Sequence, residues 1–241
     1  EYSYEEARLG NLYTQQAYEL CRKLEFKNLL GRFDAEAVPE NTIEQNFFVC
    51  SELSGVEALF EKAARNSMAG IALIADKNNV YGLGIALEKE EVYYIPAEGL
   101  LSGEYLCEKL RKLGEATVIS AMDIKMLLKH VESLEPERVF DLGIGAYLLN
   151  PLKSSYTYED IAREYIGGIS IPSREELLGK DTYEKAWEKS SENLGICACY
   201  QAFTAYAARE KTEAELKETG MWQVYTDIEL PLFSQIGRAH V

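Results

Sequence analysis

Three apolar runs joined by short polar turns constrain this chain more than any other feature. Ile71 to Ile74 is continuously apolar. Tyr81 to Leu87 follows across Lys77-Asn78-Asn79, and Val92 to Ile95 follows across the charged stretch Glu88 to Glu91. Short apolar runs bounded by turn residues read as buried strands, and such short connections join antiparallel neighbours. The spacing therefore predicts a β-meander. Phe47 to Val49 and Thr117 to Ile119 predict two further strands.

Helical patterns surround the meander. Thr14 is placed to cap a helix running to about Leu30, with Leu20, Leu24 and residues 27–30 on its apolar side. Asp34 to Thr42, with Pro39, reads as a loop. Ser54 is the expected cap of a helix to about Arg65 that buries Val56, Leu59, Phe60 and Ala63. Helices are also predicted over Gly103–Leu113, Asp123–Val131, Tyr158–Tyr165 and Arg174–Leu178. Val139 to Leu149 should begin extended and turn helical before Pro151. A long helix is predicted from Tyr183 to Ala208, and another from Glu213 to a break at Gly220. The segment Val224 to Leu232 reads as an amphipathic helix start, with Ile228, Leu232 and Phe233 at helical spacing and Asp227 and Glu229 near the positive dipole end. Strands followed by interleaved helices predict an α/β fold, a mixed sheet flanked by helices.

Several function classes are excluded on chemistry. The net charge of −15, from 25 basic and 40 acidic residues, argues against this piece holding a phosphate backbone by itself. Lys109, Arg111 and Lys112 form a local basic spot that an alternating helix face explains equally well. No apolar run approaches the roughly 18–20 residues of a membrane span, and no membrane partner is expected. No signal peptide is read at the start. Cys21, Cys50, Cys107, Cys197 and Cys199 are scattered, and Cys197 and Cys199 stand too close for the usual zinc pair, so reduced thiols in a cytoplasmic protein are expected. Gly82-Leu83-Gly84 and Gly143-Ile144-Gly145 lack the rest of a nucleotide-binding loop. His130 follows an apolar helix face and reads as a surface residue.

A resemblance to a known family rests on segments that occur in the same order. Tyr18 to Phe33 reads YELCRKLEFKNLLGRF. Gly70 to Pro96 holds GIALIAD, YGLGIAL and VYYIP. Phe140 to Leu178 holds FDLGIGAYLLNPLKSSYTYEDIAREYIG and EELLG, and Val224 to Leu232 reads VYTDIELPL. Together they resemble the 3′-5′ exonuclease-like domain of bacterial DNA polymerase I, family A, and its link to the polymerase domain. The resemblance implies the ribonuclease H-like fold of DnaQ-type exonucleases. It implies a linker and helix over 1–45 that follow a 5′-nuclease region, the exonuclease-like domain over 46–210, and the connection to the polymerase domain over 211–235. The tail 236–241, IGRAHV, resembles translated sequencing-adapter read-through and is expected to be non-native; the chain is expected to be a fragment truncated at both ends.

The same resemblance says where metal ligands would stand. Working members hold two divalent metals with a D-x-E on the first strand, the Asp of N-x-x-x-D and the Asp of Y-x-x-x-D. Matched position by position, Ile74 replaces the first Asp and Asp76 the Glu. Leu127 replaces the second Asp, after Asp123. Counting back from Pro231, Tyr200 replaces the third, after Ile196. Independently of any register, no Asp or Glu occurs from Asn193 through Arg209, and Asp123 is the one acid from Ala116 through Val131. Divalent metals of this kind need several converging oxygen anions. The expectation is therefore a vestigial site at Ile74, Asp76, Leu127 and Tyr200, with no catalytic, cofactor-binding or metal-binding residue. Asp76 reads as turn chemistry before Lys77-Asn78-Asn79, and Asp141 as a helix cap.

The expected function is that of a non-catalytic structural domain, inactive as polymerase and as exonuclease. The parent enzyme would synthesise DNA in replication and repair and would hold Mg²⁺ in its polymerase domain. The expected partners are the parent's own polymerase and 5′-nuclease domains and, through the parent, DNA; a monomer in the cytoplasm is expected. Two alternatives stay open. One is an active metal-dependent 3′-5′ exonuclease with a rearranged carboxylate set of Asp76, Asp123 and Asp141. The other is an acidic protein-interaction module.

Overall fold

The apolar runs of the meander become the centre of a six-stranded mixed sheet. A computed structural model describes residues 12–24, 26, 29, 42–131, 134–153, 155–167 and 169–232. The strands are β1 (Phe47–Val49), β2 (Met68–Ala75), β3 (Val80–Glu88), β4 (Glu91–Pro96), β5 (Val118–Ala121) and β6 (Val139–Asp141), in spatial order β1-β4-β3-β2-β5-β6. β2, β3 and β4 pair antiparallel, while β1 joins β4, β5 joins β2 and β6 joins β5 in parallel. Every predicted strand is present. The fifth starts at Val118 rather than Thr117, whose hydroxyl instead donates to the Asn66 carbonyl.

The chain divides into two compact units between Thr42 and Ile43. In the first, α1 (Gln15–Lys23) begins as predicted: the Thr14 hydroxyl accepts the Ala17 N–H at 3.2 Å. It stops earlier than expected. The Phe26 N–H reaches back to the Cys21 carbonyl at 2.8 Å, five residues away, which takes it out of the helical ladder. Leu20, Leu24 and Leu29 of the predicted apolar side are exposed, and positions 27, 28 and 30 lie outside the described residues. The predicted loop over 34–42 lies almost wholly outside the described residues.

In the second unit, two helices, α2 (Leu53–Ala63) and α3 (Gly103–Ala116), follow β1 and β4. α2 buries Val56, Leu59, Phe60 and Ala63 as expected. Its N-cap is Glu52 and not Ser54, which lies inside the first turn. α4 (Ile124–Leu127) is one turn long, and α5 (Leu142–Leu149), α6 (Tyr158–Tyr165) and α7 (Arg174–Leu178) match their predicted spans.

The predicted long helix is broken. α8 (Tyr183–Lys189) ends at Ser190, whose extended backbone (φ −155°, ψ 87°) leaves the helix and whose hydroxyl caps α9 (Ser191–Ala207) by accepting the Asn193 N–H at 3.3 Å. α10 (Arg209–Glu218) starts earlier than Glu213 and ends before Gly220, at φ +75°. A last helix starts at Trp222 and widens into a π turn over Tyr225–Glu229. That wider spiral shifts the buried face. Tyr225 and Leu230 are buried, whereas Ile228 and Leu232, expected inside, are exposed; Phe233 lies outside the described residues.

Two glycines let α9 lie almost on the sheet. A Cβ on Gly84 would stand 2.3 Å from the Ala198 carbonyl oxygen, and one on Gly70 would stand 2.4 Å from that of Ala202. Gly84 faces Ala72 across the β2–β3 ladder, so Gly70, Ala72 and Gly84 share the face that meets α9. Ser120, opposite Gly70 on β5, donates its hydroxyl to the Ala205 carbonyl at 2.6 Å. The other face carries α3: Ile119, opposite Ala69, meets Gly114. The three layers are therefore α9, the sheet and α3, with α9 almost wholly buried. Gly84→Ala should cost about 3 kcal/mol or more in urea unfolding, because its obstacle is backbone. Gly167→Ala, strained at φ +68° but facing open space, should cost only about 1 kcal/mol.

Candidate functional site

The residues after β5 turn at once into α4, and this turn opens a cleft beside the sheet. The Asp123 carboxylate caps α4 by accepting the Met126 N–H at 3.0 Å. The cleft has a volume of about 180 Å³. Ala72, Ala121, Met122 and Leu127 form much of its apolar wall. Its polar groups come from Asp123, His130, Tyr158 on α6, Tyr183 on α8 and Gln201 on α9.

The positions singled out in the sequence are not gathered in one place. Leu127 lines the cleft and is buried. Ile74 is fully buried on the strand face that meets α9, and the cleft wall at that face is Ala72. Tyr200 turns away from the cleft. Its hydroxyl donates to Glu44 at 2.6 Å and its ring meets Phe47 of β1 edge-on at 4.9 Å. The next residue, Gln201, is the α9 side chain that enters the cleft, with Cys197 one turn before it. A helix rotates about 100° per residue, so counting from Pro231 misses the cleft-facing position by one. The alternation of Gln201 with buried apolar neighbours was the available signal.

The three acids of the rearranged set are each committed locally. Asp76 closes a turn, as read from the sequence: its carboxylate accepts the N–H groups of Asn78 and Asn79, both at 2.8 Å, and the Tyr81 hydroxyl at 2.6 Å. The Tyr81 hydroxyl and these amides hold it below the usual aspartate range. His130 is half-buried, and its Nε2 bonds to the Asp76 carbonyl at 2.8 Å. Asp141 is only 2 % exposed. It caps two helices, accepting the Ile124 N–H at 2.8 Å and the Ile144 N–H at 3.0 Å. Among the described residues, no group of three or more His, Cys, Asp or Glu side chains could hold a metal ion. A cleft with one carboxylate does not fit a two-metal centre, which needs several converging anions. Cys197 and Cys199 are buried, and burial pushes both thiols up, Cys197 to about 12, which makes them poor nucleophiles and ligands.

Asp141 also sets a pH dependence. Burial pushes its carboxyl up to about 7, against the pull of the Ile144 and Ile124 amides. Between about pH 4, where it ionises unfolded, and about pH 7, the folded chain holds a proton that the unfolded chain has released. The contribution of Asp141 is thus fully present below about pH 4 and is lost as pH rises through about 7. In urea unfolding, the stability difference between wild type and Asp141→Asn should shrink steadily across that window.

No protein-family model matches the chain, and no curated protein matches it. Solved structures do. The RNase D of Escherichia coli, an exoribonuclease involved in structured RNA processing, superposes with a TM-score of 0.61 at 12% identity, over 78% of this chain and 50% of that one. Brucella melitensis NrnC bound to pGG gives 0.57 at 14% identity, over 79% of this chain and 91% of that one. The POL domain of Pol1 from M. smegmatis, in complex with DNA primer-template and dNTP, gives 0.56 at 18% identity. It matches over 79% of this chain, which spans only 31% of the polymerase chain. The mixed sheet flanked by helices is the ribonuclease H-like fold of DnaQ-type 3′-5′ exonucleases.

Proposed function

We propose that this chain is a non-catalytic 3′-5′ exonuclease-like domain of a bacterial DNA polymerase I of family A. The observation that carries the reading is the cleft itself. Where a working nuclease needs converging carboxylates, the wall presents Ala72, Leu127 and Gln201, and Ile74 and Tyr200 are packed into the core. A lone carboxylate is costly to bury, so a site that has lost its metals gains stability by becoming apolar. The likeness to the polymerase structure supports the parentage, as do the ordered sequence segments, including Val224 to Leu232.

The role is then structural. The domain links a 5′-nuclease module to a polymerase module, and the parent, working in the cytoplasm as a monomer, contacts DNA and holds Mg²⁺ elsewhere. The acidic net charge supports a domain that does not grip nucleic acid on its own. Among the described residues no helix is long and apolar enough to cross a membrane.

End-labelled single-stranded DNA incubated with the purified chain and Mg²⁺ or Mn²⁺ should keep its length, and calorimetry should register no metal binding. Metal-dependent shortening that Asp123→Ala abolishes would overturn the reading. Leu127→Asp should destabilise the fold by about 3 kcal/mol or more, with no rescue by Mg²⁺, because it buries an acid in a cleft where Asp123 supplies just one other carboxylate.

A further inference from the structure

One helix beside the cleft is held far less tightly than its neighbours. α8 buries a single residue, Ala186. α9, directly after it, is buried along most of its length, and α7, before it, is anchored by the buried Leu178. Both ends of α8 are places where the chain turns. Gly179, ahead of it, has φ +63° with open space where a Cβ would stand, and Ser190, behind it, leaves the helical region. A segment with few buried apolar contacts between two such ends belongs to the low-stability part of a fold, and its ends are suited to act as hinges.

The contacts that hold α8 are mostly polar or long. Gln201 of α9 donates to the Tyr183 hydroxyl at 3.4 Å. The Arg174 guanidinium of α7 stands 4.8 Å from the centre of the Tyr183 ring and donates to the Asp181 carbonyl at 2.5 Å. The Lys189–Asp181 ion pair, at 2.8 Å, lies within the segment and ties it to nothing else. The Trp187 ring meets Tyr81 of β3 with 6.3 Å between centres. Its Nε1–H is buried with no hydrogen-bond partner among the described residues. Buried indole N–H groups normally find a partner. One without a partner raises the free energy of the closed arrangement, and it regains water when the helix lifts.

We propose that α8 is a hinged flap over the cleft, swinging out about Gly179 and Ser190 while the sheet, α7 and α9 stay folded, with Arg174 as its latch. Tyr183 is the flap's contribution to the cleft wall, so opening widens the cleft and uncovers α9 side chains behind it. Cys197 is one of these. Its sulfur lies 3.5 Å from the Gln201 amide, and it is within electrostatic reach of Arg174 and Tyr183. Cys199 stands about 200° further round the helix, within reach of Tyr94 of β4, and stays covered. The inference rests on packing and holds whatever the chain's parentage.

Two measurements on the native, intact chain test it. In hydrogen exchange read by mass spectrometry, the hydrogen-bonded amides of α8 should exchange at least about 100-fold faster than those of α9. In labelling with a small methanethiosulfonate, Cys197 should react at least about tenfold faster than Cys199. Arg174→Gln should speed both α8 exchange and Cys197 labelling by about fivefold or more, leaving α9 exchange nearly unchanged. Equal exchange of α8 and α9, or equal labelling of the two cysteines, would overturn the proposal, because α8 would then open only with the whole domain. So would an Arg174→Gln chain that behaves as wild type does, or one in which α9 loosens as much as α8.

Discussion

The closeness of α9 to the meander governs the rest of this molecule. Gly70 and Gly84 present bare backbone to the Ala202 and Ala198 carbonyls, at distances no side chain could share. Gly195 plays the same part in reverse, leaving room on the helix for the Tyr94 ring, 2.7 Å from where its Cβ would stand. With the helix pressed so close, every side chain along it has one possible destination. Ala198 and Ala202 meet the strand glycines, Cys197 and Cys199 are buried, Tyr200 is sent toward β1, and Gln201 is sent into the cleft.

That placement decides the chemistry. Chemically, the cleft is an apolar wall with a buried amide and two phenols, bordered by a single carboxylate. The acids of this region are occupied in building structure. Asp76 pins the β2–β3 turn, Asp123 starts α4, and Asp141 ties the starts of α4 and α5 together beneath Tyr225. The Tyr225 hydroxyl accepts the Asp141 N–H at 2.6 Å, which joins the last helix to the same knot. A carboxylate that satisfies backbone amides contributes to the fold but cannot also converge on a metal.

Much of this was legible in the sequence, for identifiable reasons. The strands showed because buried strands between short turns leave continuous apolar runs, and the roles of Asp76 and Asp141 showed because Asx turns and helix caps are local. Other features depended on which way a helix faces. Tyr200 and Gln201 differ by one residue and therefore by about 100°, and the counting that selected Tyr200 carried no information on facing. The break at Ser190 was missed although Ser190 has the character of a cap, because the helical pattern continues on both sides of it. Similarly, the π turn at Tyr225 re-aims the last helix without any Gly or Pro to announce it.

The most direct measurement is anomalous diffraction from crystals of the chain soaked in Mn²⁺. With the cleft walled by Ala72, Leu127 and Gln201, no anomalous peak should stand within coordination distance of Asp123, even at high Mn²⁺. A peak bridging Asp123 and a second carboxylate in the cleft would contradict the account, because it would mean that the remaining acids can leave their caps and assemble a metal site.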